Sequence, residues 1–343
     1  KTLNHISPSC MEIMTPDRYE ISDTMADPDA IFVRATDMHN YEFNPALRCI
    51  ARAGIGVNSI PLKRCSEAGI VVFNTPGGNA NAVKELFLFG LGMASRDLMG
   101  GLRWVYNYNN PDVPVEVAME KIKKQFAGPE YYRKSIGVIG TGNVGCLVAN
   151  IALDMGMTVY GYDPYLSVNA AWRVSRHVIR VDDWDTLLRN CDYITPLTDE
   201  TRCMINAARI AKMKDGVRII NYARGEVVDE DAIIDALHSG KVERFVTDFP
   251  TARLIQEPKA ILTPHLGGTT VEAEANCARM AAEEMDDYLR TGNIKNSVNM
   301  PDLHMDRTGP TRICIIHRNL PGMLTTLLPI FAKDQINIEN MTN

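Results

Sequence analysis

Short apolar runs alternate along the chain with longer stretches that mix apolar and polar residues. The runs lie at 30–34, 47–51 and 69–73, and again at 136–139, 158–162, 193–195, 217–221, 244–247 and 260–263. Runs of this kind, bounded by turn residues, are typical of buried strands. The stretches between them have helical character, and such alternation indicates parallel sheets covered by helices. The sequence therefore predicts an α/β protein with doubly wound parallel sheets.

Two long helices and a distinct tail complete the pattern. A mostly apolar helix is predicted over 79–95, and a second from Thr269 to about Leu289, where Gly292 ends it. Residues 299–310 read as a linker, and after it a strand at 312–316, a helix at 322–333 and a strand at 336–338 are predicted. This tail is too small to hold a core of its own.

Composition narrows the class of protein. The 343 residues are 45% hydrophobic, carry a formal charge of -6, and contain no apolar run long enough to span a membrane. An acidic balance disfavours a nucleic-acid binder. The eight cysteines form no C-x-x-C pair, so no zinc site or other metal is predicted. No secretion signal is apparent, and reduced thiols in the cytoplasm are expected.

A glycine fingerprint follows the apolar run at 136–139. Gly140, Gly142 and Gly145 form G-x-G-x-x-G, and Asn143 and Val144 would begin the helix behind it. Such glycines permit a tight turn, close approach of a pyrophosphate and helix–strand packing, whereas an isolated match is often a structural turn. Here Asp163 follows the next strand, at the spacing of an acid that binds ribose hydroxyls. Since no Arg follows to receive a 2′-phosphate, NAD is favoured over NADP.

Three polar residues follow later strands, at the sheet edge where ligands bind in doubly wound folds. Arg224 follows 217–221, Asp248 follows 244–247 and His265 follows 260–263. An Arg can hold a carboxylate through two hydrogen bonds, and a His can exchange the proton that accompanies hydride transfer. Singly, such residues are more often a surface ion-pair partner or a hydrogen-bonded histidine. Together they predict a 2-oxo acid reductase.

These motifs occur together with stretches that resemble a known family. The stretches are Arg52-Ala-Gly-Ile-Gly-Val-Asn-Ser-Ile60, 73–85, the Gly140 fingerprint, 221–230 and Thr263-Pro-His-Leu-Gly267. In this order they are similar to the D-2-hydroxyacid dehydrogenases. The resemblance implies two Rossmann-like domains, and NAD-linked oxidation of 3-phosphoglycerate to 3-phosphohydroxypyruvate, the first step of serine biosynthesis. It further implies a homo-oligomer, dimer or tetramer.

The resemblance also implies domain bounds and residue roles. A substrate-binding domain would comprise 1–80 and 266–300, an NAD-binding domain 81–265, and a partial ACT regulatory domain 311–343. Arg224 would bind the substrate carboxylate and carbonyl, and His265 would be the general acid/base. Further substrate contacts would come from Arg34, Arg52, Ala53, Gly54 and Ile55. Cofactor contacts would come from Gly140, Gly142, Asn143, Val144, Gly145, Asp163, Asp248, His265 and Gly267.

The sequence departs from the family pattern in two places. The family has a Glu that orients the catalytic His shortly after its strand-end Asp, but here Phe249, Pro250 and Thr251 follow Asp248, with Arg253 nearby. Either His265 works without that partner, or Glu257 or another acid replaces it. The strand end at Tyr193–Pro196 is also shorter than usual. A trimmed loop and a gap in the sequence are both compatible with this.

Two further features concern regulation and assembly. His317, Asn319 and Asn337 fall on positions that bind L-serine in ACT modules, although a plain dimerisation module is the alternative. Lys123 and Lys124 match a basic stretch that can reach a neighbouring subunit, or form a solvated helix face. The resemblance implies that 343 residues are not the full-length product. Rival interpretations are a glycerate- or lactate-type dehydrogenase, and a non-catalytic protein that senses NAD or serine.

Overall fold

The computed structural model describes residues 1–198 and 202–342, which divide into two compact units. Unit 1 comprises Lys1–Asn79 with Val271–Asn343, and unit 2 comprises Ala80–Thr270. The strands are β1 Thr2–Leu3, β2 Ala30–Val33, β3 Cys49–Arg52, β4 Val71–Phe73, β5 Ser135–Ile139, β6 Thr158–Tyr162, β7 Ile179–Arg180, β8 Tyr193–Pro196, β9 Val217–Asn221, β10 Val242–Thr247 and β11 Ala260–Leu262. The α/β prediction with parallel sheets is confirmed.

The helices connect these strands and cover both sheets. They are α1 Leu62–Glu67, α2 Ala80–Ser95, α3 Leu98–Tyr106, α4 Val115–Ile122, α5 Asn143–Asp154, α6 Val168–Ala171, α7 Trp184–Asn190, α8 Ala207–Lys212, α9 Glu230–Ser239, α10 Val271–Thr291 and α11 Met323–Lys333. Short 3₁₀ helices occupy Pro8–Glu12, Lys123–Phe126, Gly225–Val227 and Leu254–Gln256. In the described ranges, no helix is long and apolar enough to cross a membrane.

Unit 2 is built on a parallel sheet with the order β11-β10-β9-β8-β5-β6-β7. The chain builds outward from β5 to β7, then crosses to β8 and builds in the opposite direction. Neighbouring residues of a strand point to opposite faces of the sheet. Ile220 packs in a cluster with α2 and α5 on one face, whereas Ile219 packs with α7, α8 and α9 on the other. The reversal between β5 and β8 creates the crevice in which doubly wound sheets bind ligands.

Unit 1 has a parallel sheet with its strands in chain order, β1-β2-β3-β4. One face packs against the buried side of α10, where Ala278, Ala281 and Met285 meet Phe73. The other face carries Ile31, Ile50 and Val72, which pack with the buried residues of α1 and its preceding loop. After α10 the chain returns to the sheet through Ser297, which bridges Phe73. A long, small-residue helix thus closes one face of this sheet.

The tail does not form the predicted βαβ arrangement. Helix α11 is present at Met323–Lys333, but in the described residues neither 312–316 nor 336–338 pairs as a strand, so these two strand predictions are wrong. A strand requires a partner ladder, and these segments find none. Instead Arg312 donates to the carbonyl oxygen of Met305 and to Oδ1 of Asn293. These two bonds attach the segment to the chain that follows α10, and not to a sheet. Asn343 lies outside the described residues.

Candidate functional site

The glycine fingerprint forms a tight turn between β5 and α5. Gly140 has φ = 85°, which favours glycine, and a Cβ on Gly145 would overlap the carbonyl oxygen of Gly140. A Cβ on Gly142 would instead meet no protein atom within 4 Å, so this side of the turn is open. The first N–H groups of α5 have no partners within the helix and point outward from its N-terminus. The turn therefore presents an open, electropositive helix end suited to a pyrophosphate.

Asp163, directly after β6, lies beside this turn. Its Oδ2 accepts a 2.8 Å hydrogen bond from the backbone N–H of Thr141, and its Oδ1 accepts one from Tyr165. Asp163 lines a cavity of about 440 Å³. The cavity is lined by Gly140, Gly142, Asp163, Tyr165, Trp184 and Arg209. An acid held in this orientation fits the ribose of a dinucleotide.

Trp184 and Arg209 line this cavity, and neither was predicted from the sequence. The Arg209 guanidinium lies over the Trp184 ring, 4.0 Å from its centroid, and donates to the carbonyl oxygen of Met204. Their stacking gives this cavity a flat surface of the kind against which an adenine can pack. No local signal marks them, because they come from separate helices, α7 and α8.

Arg224 follows β9 at the carboxyl edge of the same sheet. The buried Asn221 shapes this loop: its amide Nδ2 donates to the carbonyl oxygen of Arg224, and its Oδ1 accepts from the N–H of Ala223. The guanidinium NH1 of Arg224 donates to the carbonyl oxygen of Ala223 at 2.8 Å. The guanidinium group carries five N–H donors in a planar fork.

Asp248, at the end of β10, is 1% exposed. Its Oδ2 accepts from the N–H of Gly267, but its Oδ1 is buried and has no hydrogen-bond partner among the described residues. Burial raises the pKa of Asp248, and the nearby His265 opposes this shift. A buried oxygen without a donor fits the carboxamide N–H of a nicotinamide. With the glycine turn and Asp163, the residues present therefore fit NAD.

His265 follows β11 and is exposed. Its imidazole packs against the ring of Phe249, with centroids 4.8 Å apart and planes inclined at 56°. Glu257, considered above as a replacement for the family Glu, lies 2.8 Å from Nε2 of His238 instead. Arg253 pairs with Glu230 and Asp231. The carboxyl group that acts electrostatically on His265 is that of Asp248.

In unit 1, the predicted substrate residues follow β2 and β3. Arg34 donates to Oε1 of Glu274 on α10 at 2.6 Å, an ion pair that the sequence argument missed. The guanidinium of Arg52 lies against Gly54, so close that a Cβ on this glycine would overlap it. The backbone N–H groups of Ala53 and Gly54 donate to the carbonyl oxygens of Val33 and Arg52.

Comparisons with known proteins place these features in a family. Residues 105–267 match the description "D-isomer specific 2-hydroxyacid dehydrogenase, NAD binding domain". The D-3-phosphoglycerate dehydrogenase of Haemophilus influenzae is 33% identical over 313 residues, covering 87% of this chain and 72% of that protein. The chain belongs to the D-isomer specific 2-hydroxyacid dehydrogenase family. It therefore contains the NAD-binding domain of that family.

Two further relatives show the extent of the match. The D-3-phosphoglycerate dehydrogenase of Synechocystis sp. is 35% identical over 300 residues, covering 84% of this chain but 51% of that protein. The chain spans about half the length of several curated relatives that it matches. A crystal structure of a glyoxylate reductase from Paecilomyes thermophila is similar with a TM-score of 0.66 and 25% identity, covering 78% of this chain and 83% of that one.

The remaining predicted positions of this dehydrogenase-family chain lie outside the two sheet edges. Lys123 and Lys124 are exposed in the 3₁₀ helix after α4, and Lys123 pairs with Glu120. His317 and Asn337 line one groove of the tail, whereas Asn319 is exposed and does not line that groove in the described structure. The segment Tyr193–Pro196, predicted to be short, is the whole of strand β8. Residues 199–201 lie outside the described residues.

Proposed function

We propose that the chain is an NAD-dependent D-3-phosphoglycerate dehydrogenase, which oxidises 3-phospho-D-glycerate to 3-phosphohydroxypyruvate in the first step of serine biosynthesis. The observation that carries the proposal is the grouping at the carboxyl edge of unit 2. There Arg224, the buried Asp248 and the exposed His265 follow three neighbouring strands of the sheet that also holds the nucleotide fingerprint. An acid/base group and a carboxylate-binding group are the protein chemistry that this oxidation requires.

In the proposed reaction, His265 accepts the proton of the substrate's 2-hydroxyl group as the carbon–oxygen double bond forms. Arg224 holds the adjacent carboxylate and polarises the carbonyl oxygen through its fork of N–H donors. NAD⁺, when bound at the glycine turn, would supply the acceptor for the hydride of carbon 2. Asp248 lies close enough to His265 for the two groups to interact electrostatically, and this interaction opposes the rise in the pKa of Asp248 that burial causes. Charge, proton and hydride are thus all accounted for.

We assign substrate binding to unit 1 and cofactor binding to unit 2, with bounds close to 1–80 plus 266–300 and to 81–265. Arg34 and Arg52 at the ends of β2 and β3 supply cations suited to a phosphate. The backbone N–H of Ile55 is proposed to meet the carboxylate, and its loop is held by Asn74, whose Nδ2 donates to the carbonyl oxygen of Ile55. The pairing of Arg34 with Glu274 favours the second candidate, a dehydrogenase of an unphosphorylated 2-hydroxy acid.

A substrate panel tests the proposal. NADH formation is followed with 3-phosphoglycerate, D-glycerate and D-lactate, and a clear preference for the phosphorylated acid is expected. Comparable rates on the unphosphorylated acids would support the second candidate. His265→Ala is expected to lower kcat by about 10²–10⁴-fold. The matched control is His238→Ala, an exposed histidine on α9 paired with Glu257, which should leave kcat unchanged.

We further propose L-serine as an effector that binds the tail through His317, Asn319 and Asn337. Support comes from the groove that His317 and Asn337 share. Amide and imidazole groups suit the ammonium and carboxylate of an amino acid. Serine is titrated against wild type and Asn319→Ala while dehydrogenase activity is measured. Inhibition that the variant weakens supports the effector role, and indifference of the wild type removes it.

A homo-oligomer, dimer or tetramer, is also proposed. In the described residues α3 and α4 bury no side chain, and apolar groups including Leu102, Val105 and Tyr106 are exposed there, as is Phe89 on α2. Large exposed apolar surfaces commonly mark protein interfaces. Light scattering after size exclusion should give a multiple of the chain mass, which Leu102→Asp should reduce. The eight unpaired cysteines support a cytoplasmic location.

A further inference from the structure

Phe249 stands beside His265, the proposed acid/base residue. Its ring centroid is 4.8 Å from that of His265, with an interplanar angle of 56°. We propose that Phe249 is the positioning residue for His265, and that it takes over the orienting role of the Glu that this chain lacks. The inference rests on the proposed function of His265. Tilted aromatic pairs at this distance are attractive and directional, so the contact restricts rotation of the imidazole.

Glu257 and one carboxylate oxygen of Asp248 have other partners in the described structure. Glu257 contacts His238, and Oδ2 of Asp248 accepts from the N–H of Gly267. Thr251, three residues after Asp248, accepts from the N–H of Leu254 through Oγ1. Asp248 therefore influences His265 through its charge, while the direct ring contact is made by Phe249. The electrostatic interaction and the ring contact with His265 thus come from two adjacent residues.

Phe249 is itself held on two sides. Its backbone N–H donates at 3.2 Å to Oγ1 of Thr247, a buried residue at the end of β10. Across the loop, a Cβ on Gly225 would lie 3.3 Å from Cβ of Phe249, closer than ordinary contact. Gly225 directly follows Arg224, so the phenylalanine ring is packed between the arginine loop and the histidine. Pro250 restricts the backbone on the other side of Phe249.

The histidine loop is attached to the same strand end at three points. The N–H of Thr263 donates to the carbonyl oxygen of Thr247, and the N–H of Gly267 donates to Asp248. These two bonds fix the backbone on either side of His265 but leave its exposed side chain free to rotate about its own torsions. The Phe249 ring supplies the third contact, and it is the one that touches the imidazole.

The test compares Phe249→Ala, Phe249→Leu and Phe249→Trp. Loss of the ring is expected to lower kcat about tenfold or more, with KM values for both substrates within about twofold, because orientation and not binding is lost. Trp should restore most of kcat, whereas Leu, which fills space without a ring, should not. The control is Phe43→Ala, a half-buried phenylalanine paired with Tyr41 in unit 1, which should retain kcat.

A second measurement is independent of turnover. Modification of His265 by diethyl pyrocarbonate, quantified by peptide mass spectrometry, should be faster in Phe249→Ala than in wild type, because one face of the ring is uncovered. Unchanged modification together with unchanged kcat would overturn the positioning role. If the wild type oxidises no 2-hydroxy acid, the proposed function fails, and the modification rate still decides whether Phe249 orients His265. Equal rescue by Leu and Trp would also overturn it, since packing alone would then suffice.

Discussion

Glu284 is a buried acid on α10, and its replacement by Gln tests how the burial of this acid makes the stability of unit 1 depend on pH. The residue is 7% exposed; Oε1 accepts a 2.6 Å hydrogen bond from Nδ2 of Asn296, and Oε2 has no partner in the part of the chain that the structure describes. Burial raises the pKa of Glu284 from 4.5 to about 8, and the Asn296 bond only partly opposes this. The side chain is therefore a neutral carboxylic acid at neutral pH.

The direction of the pH effect follows from proton binding. Between the unfolded pKa of 4.5 and the folded pKa of about 8, the folded protein holds a proton that the unfolded chain releases. Stability is therefore complete below the lower value, falls as pH rises, and levels off above the upper one. At about 1.4 kcal/mol per pKa unit, the interval corresponds to a loss of about 5 kcal/mol. Glu284→Gln keeps the amide-sized side chain, cannot ionise, and should abolish this loss.

The assay must follow unit 1 alone. Hydrogen exchange of α10 peptides, measured from about pH 5 to about pH 9 and corrected for intrinsic rates, reports the local free energy of opening. All three tryptophans, at 104, 172 and 184, lie in unit 2, so their fluorescence during urea unfolding serves as an internal control. The stability advantage of Glu284→Gln over wild type should grow by several kcal/mol across this range. The control is Glu283→Gln, which changes the exposed residue directly before Glu284 on α10 and should show no such growth. Parallel pH curves for wild type and Glu284→Gln would refute the reasoning.

Further predictions concern the nucleotide turn of unit 2 and Arg34 of unit 1. Gly145→Ala should lower stability by about 1–3 kcal/mol and weaken NAD binding, because its Cβ overlaps the carbonyl oxygen of Gly140. Gly142→Ala should weaken NAD binding with no change in the unfolding midpoint, since its Cβ meets no protein atom. Calorimetry measures the unfolding midpoint and NAD titration measures the affinity. Identical behaviour of the Gly145 and Gly142 variants would contradict the contacts described for the two glycines. Glu274→Gln should lower KM for 3-phosphoglycerate about two- to fivefold by releasing Arg34 from its ion pair, with no effect on D-glycerate. An equal change for both acids would show that Arg34 does not distinguish the phosphate.

The fold was predictable from sequence where its determinants are local. Strands at 158–162 and 217–221 were predicted at the bounds that the structure has, because a short apolar run between turn residues is a local signal. The turn at Gly140 was equally clear, since its positive φ requires a residue without a side chain. The same reasoning failed in the tail. Ile313, Ile315 and Ile316 form an apolar run there, yet they remain exposed because a strand also needs a neighbouring ladder, which a single run cannot reveal.

The candidate site divides in the same way. The places of Arg224, Asp248 and His265 at strand ends follow from the strand pattern, so sequence could predict which residue types meet at the sheet edge. Their contacts could not be predicted, because each depends on which loops lie side by side. Glu257 had the right charge to assist His265, but its loop brings it to His238; Phe249 has no charge, but lies 4.8 Å from the imidazole. The surroundings of His265, the proposed acid/base residue, are therefore best explained by the end of β10: Thr247 accepts a hydrogen bond from its loop, Asp248 interacts with it electrostatically, and Phe249 contacts its ring.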